Sequence, residues 1–296
     1  MTLDQLRIFV AVAEREHVTR AAEALNLTQS AVSSAVTTLE ARHGVALFDR
    51  VGRSIVLNAA GQVFLIEARA VLARAAAAQE ALNDLGDLKR GRLSIQASQT
   101  IAGWWLPSRL AAFHACHAGI QIDVTIGNTR DVARAVIEGE AEVGLVEGEL
   151  DEPVLSRTVL DHDELVLVVA AGHPQAQDGA ARPDLKAMTW VLREPGSGTR
   201  SAFEAALAAH SLSVNDLDVA MSLPGNEAVA GAVEAGAGAA VVSRNVVAAR
   251  LKAGILTTLP FDLPARPFWL LRHKQRYRSK AGDAFVSLLA SRSPMA

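Results

Sequence analysis

Gln29-Ser30-Ala31-Val32-Ser33-Ser34-Ala35-Val36-Thr37-Thr38-Leu39 decides how the amino-terminal end folds. Val32, Ala35, Val36 and Leu39 recur at helical intervals, which predicts a helix over Gln29–His43 buried along that stripe. Ser30, Ser33, Ser34 and Thr37 repeat the spacing on the other side, with Gln29 leading. A merely solvated face ordinarily carries Lys, Glu or Gln, which favour helix. Ser and Thr favour it less, but they are short, uncharged hydrogen-bonding groups suited to close approach to base edges and phosphates. Taken alone, such a face is more often indifferent surface. Its neighbours change that reading.

Upstream, Thr2 and Gln5 form a capping box for a first helix with Leu6, Phe9, Val10 and Ala13 on one side. Thr19 is expected to cap a second helix over Arg20–Leu25, and Asn26-Leu27 makes a tight turn before the third. Helix, short turn and helix is the unit whose second helix enters a major groove. Downstream, Ala46-Leu47-Phe48-Asp49 and Ser54-Ile55-Val56-Leu57 read as two strands of a wing around Arg50-Val51-Gly52-Arg53. Arg50 and Arg53 flank its tip, placed to neutralise phosphates or enter a minor groove. A single arginine there would read as a solubilising turn.

Residues 1–57 hold as many arginines as acidic groups, and the whole chain carries a net charge of -3. Any nucleic-acid binding is therefore local, and a single copy binds weakly. The chain has 296 residues, half of them hydrophobic, which suits about two domains. A mean hydropathy of +0.20 excludes disorder. The lone Cys116 excludes a disulfide framework, and His114 with His117 is the nearest approach to a metal pair. The start of the chain lacks signal-peptide order and no long apolar run follows, so a cytoplasmic protein without a membrane partner is expected.

Residues 58–90 predict one long helix, with Asn58 as its cap. Phe64, Val71, Ala78 and Leu85 recur every seven residues, with Ala68, Ala75 and Leu82 four after the first three. That is a heptad seam for a second helix, or a face packed on the chain's own domain.

From residue 91 short strands alternate with helices, predicting an α/β domain with mostly parallel sheets. Strands are expected at Leu93–Ile95, Ile120–Ile126, Val143–Val146, Glu164–Ala170, Trp190–Arg193, Ala239–Ser243 and Phe268–Leu271. Helices are expected at Ile101–Ala118, Thr129–Glu138, Arg200–His210, Asn226–Ala235 and Lys280–Ser291. Four strand-to-helix turns are rich in small polar residues: Ser98-Gln99-Thr100, Gly127-Asn128-Thr129, Gly196-Ser197-Gly198-Thr199-Arg200 and Gly225-Asn226. Ligands of α/β folds bind outside the carboxyl ends of strands, and helix N-termini favour anions. Each turn read singly is an ordinary cap. Read together, Ser98, Gln99, Thr100, Asn128, Thr129, Ser197, Gly198, Thr199 and Asn226 are candidate ligands for a small anion. No lysine and no apolar wall is evident among them, and Arg200 reads as a tie within its own lobe.

Enzyme readings fail on spacing. Gly196-Ser197-Gly198 is not a nucleophile elbow, and Gly236-Ala237-Gly238 caps a helix and feeds a strand. No catalytic set, metal set or cofactor is expected.

As a set, the residues of 3–61 resemble the amino-terminal domain of LysR-type transcriptional regulators. The likeness is carried by Leu6-Arg7-Ile8-Phe9, Val18-Thr19-Arg20-Ala21-Ala22, Leu25, Thr28-Gln29-Ser30-Ala31-Val32-Ser33, Leu39-Glu40, Gly44, Leu47-Phe48-Asp49-Arg50, Arg53, Leu57 and Ala60-Gly61. Ser30 and Asn58 depart from the proline and threonine frequent there. Arg193-Glu194 with the Gly196–Arg200 run, Gly127-Asn128-Thr129 and Val146-Glu147-Gly148 resemble the branch that regulates sulfur assimilation and carbon-dioxide fixation.

The resemblance implies a winged helix-turn-helix over 1–57, a linker and dimerisation helix over 58–90, and an effector-binding domain over 91–296. That domain would have the bilobal fold of type 2 periplasmic binding proteins, with lobe I at 91–161 and 267–296 and lobe II at 162–266. The implied partners are double-stranded promoter DNA, read through Thr28, Gln29, Ser30, Ser33, Ser34, Thr37, Arg50 and Arg53, a small effector between the lobes, RNA polymerase, and further copies as homodimer and homotetramer. The rival reading is a solute-binding protein without a regulatory role, which would have no DNA-binding head.

Overall fold

The computed structural model describes residues 1–52, 54–83, 91–148, 150–177 and 182–291, and the chain forms two compact units. The first runs α1 (Leu3–Arg15), α2 (Val18–Leu25), α3 (Gln29–His43), β1 (Phe48–Val51), β2 (Ser54–Leu57) and α4 (Ala59–Asn83). Thr2 and Gln5 close a reciprocal capping box on α1. The second helix starts one residue before the expected cap. His17 takes that role, its Nδ1 accepting from the Arg20 amide at 3.3 Å, which leaves Thr19 inside the helix. Asn26 ends α2 in the left-handed region at φ 54°, which turns the chain sharply into α3.

Val32 and Leu39 bury the inner stripe of α3, and β1 and β2 pair antiparallel as the wing, with Gly52 at φ 62°. Asn58 caps α4, accepting from the Gly61 amide at 2.9 Å, and its Nδ2 donates to the Ala46 carbonyl at 3.0 Å. An Asn58→Ala variant should lose about 1 kcal/mol of stability in this unit, within the range for a lost N-cap, measurable by thermal unfolding.

The start of the expected heptad seam faces inward. Phe64 meets Phe9 at a ring separation of 4.8 Å, and Ala68 lies in the core with Leu6, Leu39 and Leu47. The reason is α1, whose Leu6 and Phe9 need a cover that α4 supplies. Val63, Ile66, Val71 and Leu82 remain exposed on α4, and Leu85 lies outside the described residues.

The second unit begins with β3 (Gly91–Ser98), a π-helical turn at Ile101–Trp105, α5 (Leu106–Cys116), β4 (Ile120–Gly127), α6 (Thr129–Glu138), β5 (Val143–Glu147) and β6 (Leu155–Asp163). It continues through β7 (Leu165–Ala170), α7 (Pro174–Gln177), β8 (Thr189–Arg193), α8 (Gly198–Ala209), β9 (Asp218–Leu223), α9 (Asn226–Glu234), β10 (Ala240–Ser243), α10 (Arg244–Lys252) and β11 (Leu256–Leu259). It ends with β12 (Arg266–His273) and α11 (Lys280–Ser291). The helix expected over Ile101–Ala118 thus opens with a π-turn and stops at Cys116.

Five strands, in the order β4-β3-β5-β12-β6, form one sheet, while β10-β7-β11 and β8-β9 serve the other lobe. The expectation of mostly parallel sheets needs correction. β4, β3 and β5 run parallel, but β12 is antiparallel to both β5 and β6, and β7 is antiparallel to β10 and β11. The chain leaves the first sheet through β6 and re-enters through β12, so these two strands carry both crossings. Each lobe has its own core. Phe113, Phe285 and Leu145 anchor the first, and Trp190, Phe203 and Leu207 anchor the second.

Candidate functional site

On the first unit, α3 presents Gln29, Ser30, Ser33, Ser34 and Thr37 to solvent. Thr28 caps the helix, accepting from the Ala31 amide at 3.2 Å, and its Oγ1 lies 3.1 Å from the Ser30 hydroxyl. Thr28 is thereby occupied with ending the turn, whereas the other five hold no side-chain bond to another element among the described residues. Arg50 is exposed on β1. Arg53 lies outside the described residues.

In the second unit the four polar turns meet across the lobes. Asn226, from α9, donates to Thr100 Oγ1 at 3.0 Å, and its amide donates to Gln99 Oε1 at 2.9 Å. The Arg130 amide donates to the Gly196 carbonyl at 3.4 Å, and Asn128 Nδ2 reaches Glu194 Oε1 at 3.5 Å. Thr129 donates to the Glu147 carbonyl at 2.8 Å, and the Ser98 hydroxyl donates to Glu147 Oε2. Gly198 lies directly against that Glu147 carbonyl, an approach that only glycine permits. Ser98, Thr100, Thr129, Ser197, Thr199 and Asn226 are all buried.

Arg266, at the start of β12, lies at the centre and is only 3% exposed. It donates to Asp163 Oδ2 through Nε at 2.9 Å and Nη2 at 2.6 Å. Nη1 donates to Thr199 Oγ1 at 3.0 Å, and Nη2 approaches Thr100 Oγ1 at 3.4 Å. Glu147 Oε1 lies 3.4 Å from Nη1, and Ser243 donates to Asp163 Oδ1 at 2.7 Å. Arg193 pairs with Glu194 at 2.8 Å and bonds Asn226 Oδ1. Burial pushes the Glu194 carboxyl up, but the bonds and charge of Arg193 outweigh it and hold it below the usual carboxylate range. Its contribution is thus present above the unfolded pKa and is lost as pH falls through the folded one.

Two cavities adjoin this seam. One of about 520 Å³ is lined by Thr129, Arg130, Gly196, Gly198 and Ser201, among others. The other, of about 470 Å³, is lined by Gln99, Trp104, Ile126, Pro224 and Asn226, among others. Among the described residues no group of His, Cys, Asp or Glu could hold a metal ion, and no helix is long and apolar enough to cross a membrane.

Residues 3–62 match the family model for the bacterial regulatory helix-turn-helix protein of the lysR family, and residues 86–294 match the LysR substrate binding domain. The chain belongs to the LysR family of transcriptional regulators. It is 34% identical over 288 residues to the uncharacterized HTH-type transcriptional regulator YeiE of Escherichia coli, covering 97% of this chain and 96% of that protein. It is 33% identical over 290 residues to a probable RuBisCO transcriptional regulator of Trichormus variabilis, covering 96% and 86%. Full-length CbnR in complex with its target DNA shares the fold at a TM-score of 0.69 and 22% identity, over 98% of this chain and 99% of that one. The Synechocystis CcmR regulatory domain in complex with 2-PG does so at 0.62 and 24%, over 68% and 97%.

The LysR regulator departs from the sequence expectation in what its cleft contains. The reading found no cation there, yet Arg266 is central. It found no apolar wall, yet Trp104, 49% exposed, and Ile126, 61% exposed, border the Asn226 side. Glu147, Asp163, Arg193 and Glu194 were not among the candidate ligands. Buried charge at strand ends is a usable signal, since Arg266 and Asp163 each terminate a crossing strand. Arg200 does bind within its own lobe, to Glu204 at 2.8 Å and the Arg193 carbonyl at 3.0 Å.

Proposed function

We propose that this regulator reads promoter DNA through Gln29, Ser30, Ser33, Ser34 and Thr37, with Thr28 setting the helix start and Arg50 and Arg53 touching the backbone from the wing. CbnR, a fold neighbour, is held on its target DNA, which supports this use of the head. Gln29→Ala and Ser33→Ala should each weaken specific operator binding by about 1–3 kcal/mol, the range for a base-edge contact. Gel shift on the promoter measures it, and an unchanged affinity in the folded double variant contradicts the base-reading role. Arg50→Ala or Arg53→Ala should lower the log–log salt slope by about 0.9 for one lost phosphate contact. An unaltered slope in both rules that contact out.

The exposed apolar residues of α4, Val71 and Leu82 among them, support pairing of two copies through this helix into a homodimer, and of dimers into a homotetramer that engages RNA polymerase in the cytoplasm. The working division is 1–57, 58–90 and 91–296, with lobe I at 91–161 and 267–296 and lobe II at 162–266. The chain acts as a regulator, not an enzyme.

The effector is a small anion held between the lobes by Ser98, Gln99, Thr100, Asn128, Thr129, Ser197, Gly198, Thr199 and Asn226. One observation carries this reading: turns from both lobes converge on one buried seam around a guanidinium. That CcmR holds 2-PG, a small anion, favours the same class. Thermal-shift screening of the full chain against small anions tests it. A ligand at about 100 times its Kd should add about 2.7 kcal/mol. A panel without any stabilising anion would contradict it.

A further inference from the structure

We propose that Glu147 makes the effector site select an oxyanion that itself carries a hydrogen, and reject proton-free sulfate. The proposal rests on the interlobe reading above and narrows its ligand.

The central ionised groups are Arg266, Asp163 and Glu147, each no more than 3% exposed. Two carboxylates thus face one guanidinium, and the nearby Arg193–Glu194 pair adds no net charge. The two carboxylates differ in how they are used. Asp163 has both oxygens occupied, Oδ2 by two Arg266 nitrogens and Oδ1 by Ser243. It fixes the guanidinium in place. Glu147 receives the Ser98 hydroxyl on Oε2, while Oε1 has only the longer 3.4 Å approach of Arg266 Nη1. Glu147 is the carboxylate with acceptor capacity to spare.

The groups beside it are donors. The Thr100 and Thr199 hydroxyl oxygens accept from Asn226 and Arg266, which leaves their own hydrogens to give. A ligand lodged here meets hydroxyl and guanidinium donors on one side and an acceptor-only carboxylate on the other. Sulfate satisfies the donors but sets bare negative oxygen against Glu147, a buried like-charge contact that costs affinity. A hydrogen-bearing oxyanion turns the same contact into a charge-assisted hydrogen bond. Phosphate and sulfite both exist partly in hydrogen-bearing form near neutral pH, and sulfate does not.

The test is isothermal calorimetry on the full-length protein with sulfate, phosphate and sulfite at pH 7 and constant ionic strength. The tighter of phosphate and sulfite is expected to bind at least about 100-fold more tightly than sulfate, the low side of what a site reading a ligand hydrogen achieves. Which of the two binds assigns a phosphorus or a sulfur source. In Glu147→Gln the side-chain amide can donate and the charge is gone, so the ratio should fall below about 10-fold through a gain by sulfate. Sulfate binding as tightly as both others to the wild type, or neither of the others binding, overturns the proposal without reference to any variant. An unchanged ratio in a folded Glu147→Gln protein overturns it as well. Thr199→Val separates the two levels: if it weakens every anion while the selectivity is absent, the interlobe site stands and the role of Glu147 falls. If it weakens none, the interlobe reading falls too.

Discussion

Arg266→Met is expected to cost the effector-binding unit about 3–5 kcal/mol, the range for stripping one partner from a buried ion pair. The substitution preserves length and apolar stem but removes the only charge opposite Asp163 and Glu147 at this point of the seam. Asp163 loses two short bonds and keeps only Ser243. Its carboxylate, 0% exposed, is then buried with no cation. Denaturant unfolding followed through the buried Trp190 measures the loss. Arg266→Met combined with Asp163→Asn should recover part of it, because the unpaired charge goes with the mutation. Arg266→Lys should not fully substitute, since an ammonium cannot hold Asp163, Thr199 and Thr100 through one planar fork. A loss below about 1 kcal/mol in Arg266→Met, the size of a surface pair, would show that the crossing strands do not depend on this centre.

Gly198→Ala should part the lobes. A methyl at that position overlaps the Glu147 carbonyl oxygen and comes within 2.8 Å of Thr129 Oγ1. The carbonyl is backbone at the end of β5 and cannot swing aside, and Thr129 already bonds it. Overpacking of this kind costs about 1–3 kcal/mol where structure must yield, and here the cheapest response is a wider cleft. Two backbone amides report the seam directly: Asn226 bonded to Gln99, and Arg130 bonded to the Gly196 carbonyl. Both should exchange hydrogen faster in the variant by about 5- to 150-fold, while amides inside β3 and β12 keep their protection. Unchanged exchange at both amides would mean that the contact relaxes locally and does not set the lobe arrangement.

The helical head was legible because its signals are local. The capping box, the apolar stripe of α3 and the Gly52 turn each lie within a few residues, and intrinsic preferences agree with the fold there. The start of α2 was misplaced by one short-range contest: His17 and Thr19 can both cap, and His17 wins by one turn position. The seam of α4 could be read for period but not for partner, since Phe64 and Ala68 suit either another helix or Phe9. β9 escaped because all but one of its residues are exposed, leaving no alternation. β6 escaped because Arg157, Asp161, His162 and Asp163 interrupt its apolar residues.

In the cleft the polar turns stood out by composition, yet the groups that organise them did not. Arg266 and Asp163 are 103 residues apart and meet only because the chain crosses twice between lobes. No local pattern encodes that meeting. It also changes one expectation about Thr100. Its hydroxyl is not a free ligand but the acceptor of Asn226 and Arg266, so Thr100→Val leaves a buried amide unpaired and should cost about 1–3 kcal/mol before any effector is added.

The claim that a small anion acts through the seam is tested most directly by calorimetric titration of the full-length regulator with the anion giving the largest thermal shift. Wild type, Thr100→Val and Thr199→Val are compared at a temperature where all three are folded. The account predicts saturable binding to the wild type and a loss of at least about 10-fold in each variant, the equivalent of one hydrogen bond to a charged ligand. Equal affinity in all three proteins would contradict it, and the effector site would then lie away from the seam.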